Sequence, residues 1–506
     1  MAKVKLFNAI DDHAYWADFF EDALPPSTKA AKKFEFDNTN GDTITIEGKN
    51  FKYNGDTPIA GKVGAITISN GGTTLIEITG LNVYLDDLAA YIFGFDREDS
   101  SPQDPDPFNA MSLLFMGDDK FIGSKHGDDM IAGRSLGDDV IKGKGGDDFI
   151  KGDAGDDKID GGSGWDRLTY MESFYDPSAL SGITLDVKKG TVKDSWGGKD
   201  KIKNFESFEG SKFKDKMKGS GADEEFGGLR GNDTIDGKGG FDSVYYDSDG
   251  RYGGTGGIDA NLKTGKIVDG WGNKDTVKNI EAVIGTSKDD TFLGNSDSNY
   301  FAGLDGVDEF NGKGGFDTLS FHDFQGVGIG DVVLDLEISG AEIQDDGFGN
   351  VESVKNIEEF VGDYGNDEML GDSEGNDFHG NDGDDTLNGR GGNDLLFGGD
   401  GSDQFNFDLA GDADADVIDD FEVGTDLIGL SISAFGLTGS VGDPLAASEF
   451  VIGNNAVTTD QRIIYNDNNG KLFHDADGSA GGSGKELIAE LNGTPTLTVA
   501  DFELIA

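Results

Sequence analysis

The chain has 506 residues, in which 98 acidic side chains outnumber 41 Lys and Arg, so its formal net charge at pH 7 is −57. This charge argues against nucleic acid as the partner of the whole chain, because phosphate contacts need clustered basic side chains. The lack of Cys excludes a disulfide framework and a thiolate zinc site. A chain of this length can form about two to four domains, and its 81 Gly exceed ordinary globular usage.

The amino-terminal region, residues 1–105, predicts a small β-rich domain. Strands are predicted where apolar and polar residues alternate between Asn-Gly or Gly-Asp turns, at 33–36, 43–47 and 65–69. Residues 82–93 predict a helix, and the proline- and acid-rich stretch 100–107 predicts a linker. No apolar segment at the amino terminus resembles a cleavable signal peptide, and none in the chain is long enough to span a bilayer.

After the linker, the chain repeats a nine-residue pattern in which Gly is followed by Asp two positions later and by an apolar residue four positions later. Gly146, Asp148 and Ile150 form one instance. Glycine permits a tight turn, Asp supplies a hard oxygen for calcium, which takes about six to eight oxygen ligands, and the apolar residue points inward. Stacked carboxylates would repel one another without a cation. The pattern therefore predicts a roll that needs calcium to fold.

The predicted fold class is all-β: a right-handed parallel β-helix or β-roll of calcium-binding nonapeptides behind the small amino-terminal domain. Several Ca²⁺ ions are the expected cofactors. The predicted metal ligands are the aspartates of the pattern: Asp119, Asp129, Asp139, Asp148, Asp157, Asp166, Asp233, Asp242, Asp308, Asp317, Asp367, Asp385, Asp394 and Asp403.

This spacing matches the calcium-binding nonapeptide of RTX proteins, and the chain resembles secreted RTX proteins. Residues from about 400 to 506 resemble the domain that follows the roll in serralysin-type proteins. Their last ten residues, 497–506, resemble an uncleaved carboxyl-terminal export signal. The resemblance implies export by a type I secretion apparatus, folding in external calcium and an extracellular location, with attachment to the cell surface left open. Membrane insertion is not expected. The chain contains no His-Glu-x-x-His motif, so the resemblance does not imply metalloprotease activity.

A second, longer period of 75 to 77 residues runs through the repeats. The segment beginning at Gly161 returns at 237–246 and 312–321, and the motif Lys-Asn-(Phe/Ile)-Glu occurs at 203–206, 278–281 and 355–358. These spacings predict three stacked copies of one unit. The predicted organisation is an amino-terminal domain 1–105, a roll 106–170, a three-copy β-helix 161–371, a second roll 372–407 and a carboxyl-terminal domain 408–506.

The first copy differs from the others in charge, since residues 188–218 contain ten Lys and five acids. Alternation predicts that Lys212, Lys214, Lys216 and Lys218 share one outer strand face. The equivalent positions in the other copies are not basic: Ser287, Asp289, Thr291 and Leu293, then Tyr364, Asn366, Glu368 and Leu370.

These four lysines, with Trp196 and Trp271, are the predicted substrate contacts, suited to an acidic polysaccharide because rings stack on sugars and cations meet uronates. The alternative is structural. In that case the lysines offset nearby carboxylates and protect a strand edge, while the aromatic rings fill the interior.

Residues 44–81, the roll and the export signal together resemble the Ply-type exopolysaccharide glycanases. That resemblance implies cleavage of acidic exopolysaccharide, by a hydrolase with two carboxylates or a lyase with a base and a group that neutralises a uronate. The alternative is a non-enzymatic, calcium-dependent polysaccharide-binding or adhesion protein. Glu224 and Arg230 alternatively form an ion pair in place of a calcium site. The candidate catalytic residues lie near the junction of the first two copies: Arg167, Tyr170, Glu172, Glu224, Arg230, Tyr245, Asp247 and Arg251.

Overall fold

The computed structural model describes most of the chain after residue 136 and several strands before it. The described residues are 3–6, 28–30, 33–37, 42–54, 57–70, 73–84, 120–123, 125–130, 137–322, 330–411, 415–480 and 484–506. They are almost entirely β-strands, which confirms the all-β fold class. Within these ranges the one α-helix is Ile432–Phe435, and no helix has the length and apolarity to cross a membrane.

The amino-terminal strands pair in an antiparallel order. They are Lys3–Leu6, Thr28–Ala30, Lys33–Asp37, Asp42–Asn54, Thr57–Asn70 and Thr73–Tyr84. They contain all three predicted strand segments, which are therefore confirmed. The predicted helix 82–93 is wrong over 82–84, because Val83 and Tyr84 pair with Val63 and Lys62, and cross-strand pairing overrides local propensity. Residues 85–93 and the predicted linker lie outside the described residues.

The chain forms two compact units, residues 1–248 with 273–280 and residues 249–272 with 281–506. In the first unit, two sets of short parallel strands alternate along the repeats. One set is Lys120–Ile122, Val140–Lys142, Lys158–Asp160, Lys199–Lys203, Lys216–Lys218, Thr234–Asp236 and Lys274–Lys278. The other is Asp129–Met130, Phe149–Lys151, Arg167–Thr169, Ser207–Glu209, Glu225–Gly227 and Ser243–Tyr245.

The second unit repeats this arrangement. One set contains Thr291–Leu293, Glu309–Asn311 and Ser353–Lys355. A second contains Ala282–Ile284, Tyr300–Ala302, Thr318–Ser320, Glu359–Val361, Asp377–Asp382, Leu395–Asp400 and Asp416–Ile418. A third contains Glu368–Leu370, Thr386–Asn388, Gln404–Phe407, Leu427–Ser431 and Phe502–Ile505. The remaining strands near the carboxyl terminus are Phe450–Ile452, Ile463–Asn466, Lys471–His474 and Glu486–Leu491.

The long period has a structural cause, because each copy adds a hairpin to the roll. The antiparallel hairpins are Thr184–Asp186 with Thr191–Lys193, Asp259–Asn261 with Lys266–Val268, and Val332–Asp335 with Ile343–Asp346. Short 3-10 turns lie at Met171–Phe174, Val187–Lys189, Gly250–Tyr252, Gly478–Ala480 and Val499–Asp501. After the first hairpin, Lys199–Lys203 pairs in parallel with Lys158–Asp160, so the roll resumes in register.

The core is a set of inward-pointing columns, one residue from each short strand. Leu168, Phe208, Phe226 and Val244 follow one another across paired strands and are 2% exposed or less. The rings of Phe208 and Phe226 stack with centroids 5.8 Å apart. Each such side chain contributes about 1.5–3 kcal/mol on burial. The residues on either side of each column point outward, so the outer faces carry the variable chemistry.

Candidate calcium sites and the outer-face clusters

The aspartates of the nonapeptide form ladders along the roll. Oδ1 of Asp157 accepts the backbone N–H of Asp139 at 2.7 Å, and Oδ1 of Asp166 accepts that of Asp148 at 2.9 Å. In the second unit, Oδ1 of Asp403 accepts the N–H of Asp385 at 3.0 Å. Each of these three aspartates therefore joins its own turn to the turn before it through Oδ1, one of its two carboxylate oxygens.

That second oxygen is buried without a hydrogen-bond donor at seven of the predicted ligands: Asp148, Asp166, Asp308, Asp317, Asp385, Asp394 and Asp403. These side chains are 2% exposed or less. The oxygen lies over a glycine five residues earlier, and a Cβ on Gly143 or Gly389 would overlap Oδ2 of Asp148 or Asp394. Burying a carboxylate oxygen without a partner is costly. Paired with the nearby backbone carbonyls, such as that of Gly161 beside Gly143, these oxygens fit a hard cation such as calcium.

Burial also disfavours the charge on these groups. It raises the pKa of Asp148 to about 7, and that of Asp308 and Asp385 to about 8. Neighbouring carboxylates raise the pKa further, Asp290 acting on Asp308 and Asp367 acting on Asp385. A bound divalent cation would reverse both effects by supplying the missing positive charge.

The other predicted ligands are placed as follows. Asp233, Asp242 and Asp367 accept the backbone N–H groups of Asp215, Glu224 and Val332 at 2.7, 3.0 and 2.8 Å. Asp317 accepts the N–H of Asn299 at 2.8 Å. Asp119 and the side chain of Asp129 lie outside the described residues. Within the described residues, no three His, Asp or Glu side chains are grouped to hold a metal, so most ligands at each site would be backbone oxygens.

The ladder contains acids that the nine-residue pattern did not predict. Glu206 and Glu358, the last residues of the Lys-Asn-x-Glu motifs, accept the N–H groups of Asp166 and Asp317 at 2.9 and 2.8 Å. The Asn of the same motif turns the chain, since Asn204 has a φ of 56°, a conformation that Asn tolerates better than most residues. The repetition of this motif was the signal that could have found these ladder acids.

Acids that follow the hairpins were also missed. Asp200, Asp275 and Glu352 accept the N–H groups of Asp157, Asp233 and Asp308 at 3.0, 2.7 and 3.3 Å. Asp416 and Asp426 extend the ladders beyond Asp394 and Asp403. Their distance from the preceding turn differs from nine residues, so the spacing alone could not identify them.

Two of the candidate catalytic residues, Arg167 and Tyr245, come together on the outer face of the first unit, and a third, Asp247, acts electrostatically on Arg167. The guanidinium of Arg167 lies 4.9 Å from the ring centroid of Tyr245. The pKa of Arg167 is raised, most strongly by Tyr245 and further by the carboxylates of Glu209, Glu225 and Asp247. Burial alone would lower it. Burial raises the pKa of Tyr245 well above its ordinary value, so this phenol stays protonated at neutral pH. Its ring covers Gly227, where a Cβ would overlap it.

Sequence reasoning missed two carboxylates in this cluster. Glu225 lies 3.8 Å from Nη2 of Arg167 and accepts the indole N–H of Trp165 at 3.4 Å. Glu209 accepts the hydroxyl of Thr169 at 2.6 Å and is buried. We call Trp165, Arg167, Glu209, Glu225 and Tyr245 the Arg167 cluster. Because strands Arg167–Thr169, Ser207–Glu209 and Glu225–Gly227 are neighbours, their outward side chains meet only in the folded roll.

The remaining catalytic candidates are not part of this cluster. Tyr170 is buried and donates to Asp200 at 2.7 Å, and Glu172 is buried in an ion pair with Lys151 at 2.8 Å. Glu224 is buried and bonded to Ser220, whereas Arg230 is exposed, so no ion pair joins these two described residues. The alternative of a Glu224–Arg230 ion pair is wrong, because Glu224 occupies the inward ladder position of the missing aspartate.

Arg251 belongs to the second unit. It is exposed in the short turn Gly250–Tyr252, and its guanidinium lies 5.9 Å from the ring centroid of the neighbouring Tyr252.

The predicted lysine strand is shorter than expected. Only Lys216–Lys218 is a strand, because Lys212 and Lys214 precede it in a bend. The amino group of Lys214 donates to the carbonyl of Asn232 at 2.7 Å, and that of Lys212 lies 5.3 Å from the ring centroid of Phe213. The prediction that all four lysines share one strand face is therefore wrong for Lys212 and Lys214.

The outward lysines of the first unit form a broader basic surface than the predicted four-lysine strand face. We define the lysine face as the outward lysines of five strands in the first unit: Lys142, Lys158, Lys193, Lys199, Lys201, Lys203, Lys216 and Lys218. Lys158 is directly opposite Lys201, and Lys193 is directly opposite Lys199. Ion pairs on this face join Lys203 to Asp160 and Lys218 to Asp186.

The two tryptophans predicted to bind substrate begin tight loops beside the hairpins. The indole N–H of Trp196 donates to Asp176 at 2.9 Å, and its backbone N–H donates to Asp194. Trp271 has the same backbone bond to Asp269. Both side chains are half-buried.

A scan against known families agrees with the ladders. The model of the RTX calcium-binding nonapeptide repeat, described as four copies, matches residues 134–168, 219–248, 284–319, 370–405 and 379–418. The class defined by the fold and the ladders is thus an RTX-type calcium-binding β-roll protein, with multiple Ca²⁺ ions as cofactors. Among curated proteins, none matches the chain significantly.

Proposed function

We propose that this protein is exported by a type I apparatus, folds in extracellular calcium and binds acidic polysaccharide along the lysine face. The observation that carries the proposal is the direct opposition of Lys158 to Lys201 and of Lys193 to Lys199, in a chain with a net charge of −57. Like charges directly opposite on neighbouring strands destabilise a sheet. If these lysines only stabilised the sheet, an acidic residue would be expected at one position of each opposed pair.

The geometry of the lysine face suits a linear polyanion. Neighbouring strands are about 4.8 Å apart, so ammonium groups on adjacent strands form rows that several uronate carboxylates can meet at once. Lys158, Lys193, Lys199 and Lys201 are all exposed. Because exposed charges are screened by salt, binding should weaken as ionic strength rises. Calcium would contribute by holding the turns that align the rows.

The test is binding to polygalacturonate and to neutral dextran in saturating calcium. We expect binding to the uronate polymer only, and at least a tenfold loss of affinity in Lys158→Gln/Lys201→Gln. The matched control is Lys355→Gln, an exposed outward lysine of the second unit. Equal binding of dextran, or equal losses in the double variant and the control, would contradict the proposal.

Cleavage of the bound polymer is the second candidate function, and the Arg167 cluster is the observation that favours it. Arg167 can meet a uronate carboxylate, and Glu225 can serve as one of the two carboxylates of a glycoside hydrolase, with the buried Glu209 on the neighbouring strand. Tyr245 is a poor base for a lyase step because its pKa lies well above the ordinary value. The cluster therefore favours hydrolysis over elimination.

Cleavage is tested by following viscosity, new reducing ends and unsaturated ends during incubation with acidic exopolysaccharide. We expect reducing ends without ultraviolet absorbance from unsaturated ends, and loss of this activity in Glu225→Gln but not in Glu368→Gln, an outward glutamate of the second unit. Retained binding with no new ends would leave the binding function alone. Unsaturated ends would contradict the assignment of hydrolysis.

A further inference from the structure

The second unit contains a cleft of about 670 Å³ on its outer face. Its walls include the aromatic rings of Tyr300, Tyr364 and Phe397 and the carboxylates of Asp382, Asp400 and Glu422. The cleft is open to solvent, since Tyr364, Asp382, Asp400 and Glu422 are exposed, so it can hold one unit of a longer chain. None of the sites predicted from the sequence uses these residues.

The charge of the cleft is not balanced by the protein. Among the described residues, four carboxylates line it, the fourth being Asp420, and no Lys or Arg does. Asp420 is already committed, since its two oxygens accept the backbone N–H groups of Gly398 and Gly399 at 3.0 and 2.8 Å. Within the described residues no ion pair involves Asp382, Asp400 or Glu422. The cleft therefore presents net negative charge to any ligand that enters it.

The aromatic walls are held by specific contacts. The ring of Tyr364 meets His322 edge-on with centroids 4.9 Å apart, and its hydroxyl lies 3.4 Å from Nε2 of His322. The ring of Phe397 lies 5.6 Å from that of His379. These contacts leave ring surface on the cleft side, which can accept an apolar ligand face or a cation.

Neutral hydrogen-bonding groups complete the lining. Asn381 lies in the lining, and its amide nitrogen donates to the carbonyl of Gly362 at 2.7 Å, which leaves its side-chain oxygen as an acceptor. Ser320 is buried beneath the lining, where its hydroxyl accepts the N–H of His322 at 3.2 Å and interacts with the hydroxyl of Tyr300. A bare calcium ion would use the carboxylates but would gain nothing from three aromatic rings. An anionic sugar would meet uncompensated carboxylates. The combination of carboxylates, rings and neutral polar groups matches a sugar that carries an amine.

We propose that this cleft binds an amino sugar of an oligosaccharide, with the ammonium group at the carboxylates and the sugar ring against Tyr364 or Phe397. Glu422 is exposed and its side chain is free to turn toward the ammonium, while its backbone N–H is held by Asp426 at 2.7 Å. A ring hydroxyl donates to the side-chain oxygen of Asn381, whose amide nitrogen is held by the carbonyl of Gly362. This site is separate in charge and in residues from the lysine face, and the proposal does not depend on polysaccharide binding there.

The test is calorimetric titration of the full chain in saturating calcium with glucosamine tetramer and with N-acetylglucosamine tetramer. The pH is kept below the pKa of the sugar amine, so that the deacetylated tetramer is charged. We expect one site per chain and at least tenfold tighter binding of the deacetylated tetramer. Equal binding of the two tetramers, no binding of either, or binding of galacturonate tetramer in the cleft would overturn the proposal.

Variants distinguish specific binding in the cleft from non-specific attraction of a cationic sugar to an acidic protein. Glu422→Gln and Phe397→Ala should each lower the affinity about tenfold, and Tyr364→Phe, which keeps the ring, should change it less than threefold. Glu309→Gln removes an outward carboxylate elsewhere in the same unit and should have no effect. If Glu309→Gln and Glu422→Gln weaken binding equally, the interaction is non-specific and the proposal fails. Circular dichroism and calcium titration verify that each variant folds.

Discussion

The same strand set of the roll carries opposite chemistry on its outer face in the two units. In the first unit, Lys158 is opposite Lys201. In the second, Thr291 is opposite Glu309, which is opposite Ser353. The inward residues of those strands remain apolar in both units: Ile159 and Ile202, then Phe292, Phe310 and Val354. The ladder and the core therefore constrain the inward positions, and the outward positions are free to serve a ligand.

The difference extends to the other strand set. The Arg167 cluster places a guanidinium among Glu225, Tyr245 and a buried Glu209 in the first unit, whereas the described lining of the cleft in the second unit contains no Lys or Arg. One repeating backbone thus supports a cationic surface in one unit and an anionic cleft in the other. The ligands proposed for the two units are accordingly opposite in charge.

Removal of calcium should have the largest effect and should act on both units alike. With a chelator at neutral pH we expect loss of the far-ultraviolet β-sheet signal, because the buried Oδ2 atoms of residues such as Asp148 and Asp385 lose their partner. Each calcium site occupied at 100 times its dissociation constant stabilises the fold by about 2.7 kcal/mol. Circular dichroism during calcium titration measures the recovery. Full recovery with magnesium instead would contradict calcium-specific ladders.

Acidification should partly replace calcium. The folded-state pKa of Asp148, Asp308 and Asp385 is raised to about 7 to 8, so the folded chain keeps protons that the unfolded chain loses above about pH 4. The free energy of unfolding of the calcium-free protein should therefore fall as pH rises from about 4 to about 8. Chelated protein should regain β-sheet signal near pH 4. A calcium-free fold that is more stable at pH 8 than at pH 5 would contradict the burial of these carboxyls.

A reciprocal exchange tests whether ladder position or carboxylate charge determines calcium binding. Asn376 occupies the ladder position of an aspartate, with its N–H bonded to Asp394 at 2.7 Å. We expect Asp385→Asn to lower the number of bound calcium ions by at least one. Asn376→Asp should raise this number in the original protein and should restore it when combined with Asp385→Asn. Equilibrium dialysis measures the number of bound ions. Near pH 4 without calcium, Asp385→Asn should match the original protein in stability, because a protonated Asp resembles Asn. Unchanged stoichiometry in both variants would show that these carboxylates are not ligands.

The smallest effect concerns the lysine face itself. Lys158→Gln removes one of two opposed charges, so it should stabilise the calcium-loaded first unit by about 0.2–1 kcal/mol while weakening binding to polygalacturonate. Lys203→Gln, which breaks the pair with Asp160 at 2.8 Å, should not stabilise. Denaturant unfolding in calcium measures both. Destabilisation by Lys158→Gln would favour the structural role, in which the lysines offset nearby carboxylates.

The sequence predicted the ladder well and the outer faces poorly. Asp148, Asp308 and Asp394 could be identified because one short period specifies both the glycine turn and the buried carboxylate. Glu206 and Glu358 were visible only as part of an unexplained motif, because the hairpins change the spacing from the preceding turn. The sequence could not show that Tyr170 and Glu224 are buried and hydrogen-bonded to Asp200 and Ser220, because a polar residue that departs from the repeat can also lie inside it.

By itself, the sequence determined the all-β roll and its calcium-binding repeats, since glycine turns, aspartates and inward apolar residues are local properties that recur with a fixed period. Only the tertiary structure decided which outward residues meet. Arg167 and Glu225 are far apart in the chain but lie 3.8 Å apart across stacked turns, and Lys158 faces Lys201 for the same reason. The register between strands brings these groups together, and this register depends on hairpins of variable length. The nine-residue period therefore cannot predict which outward residues are neighbours.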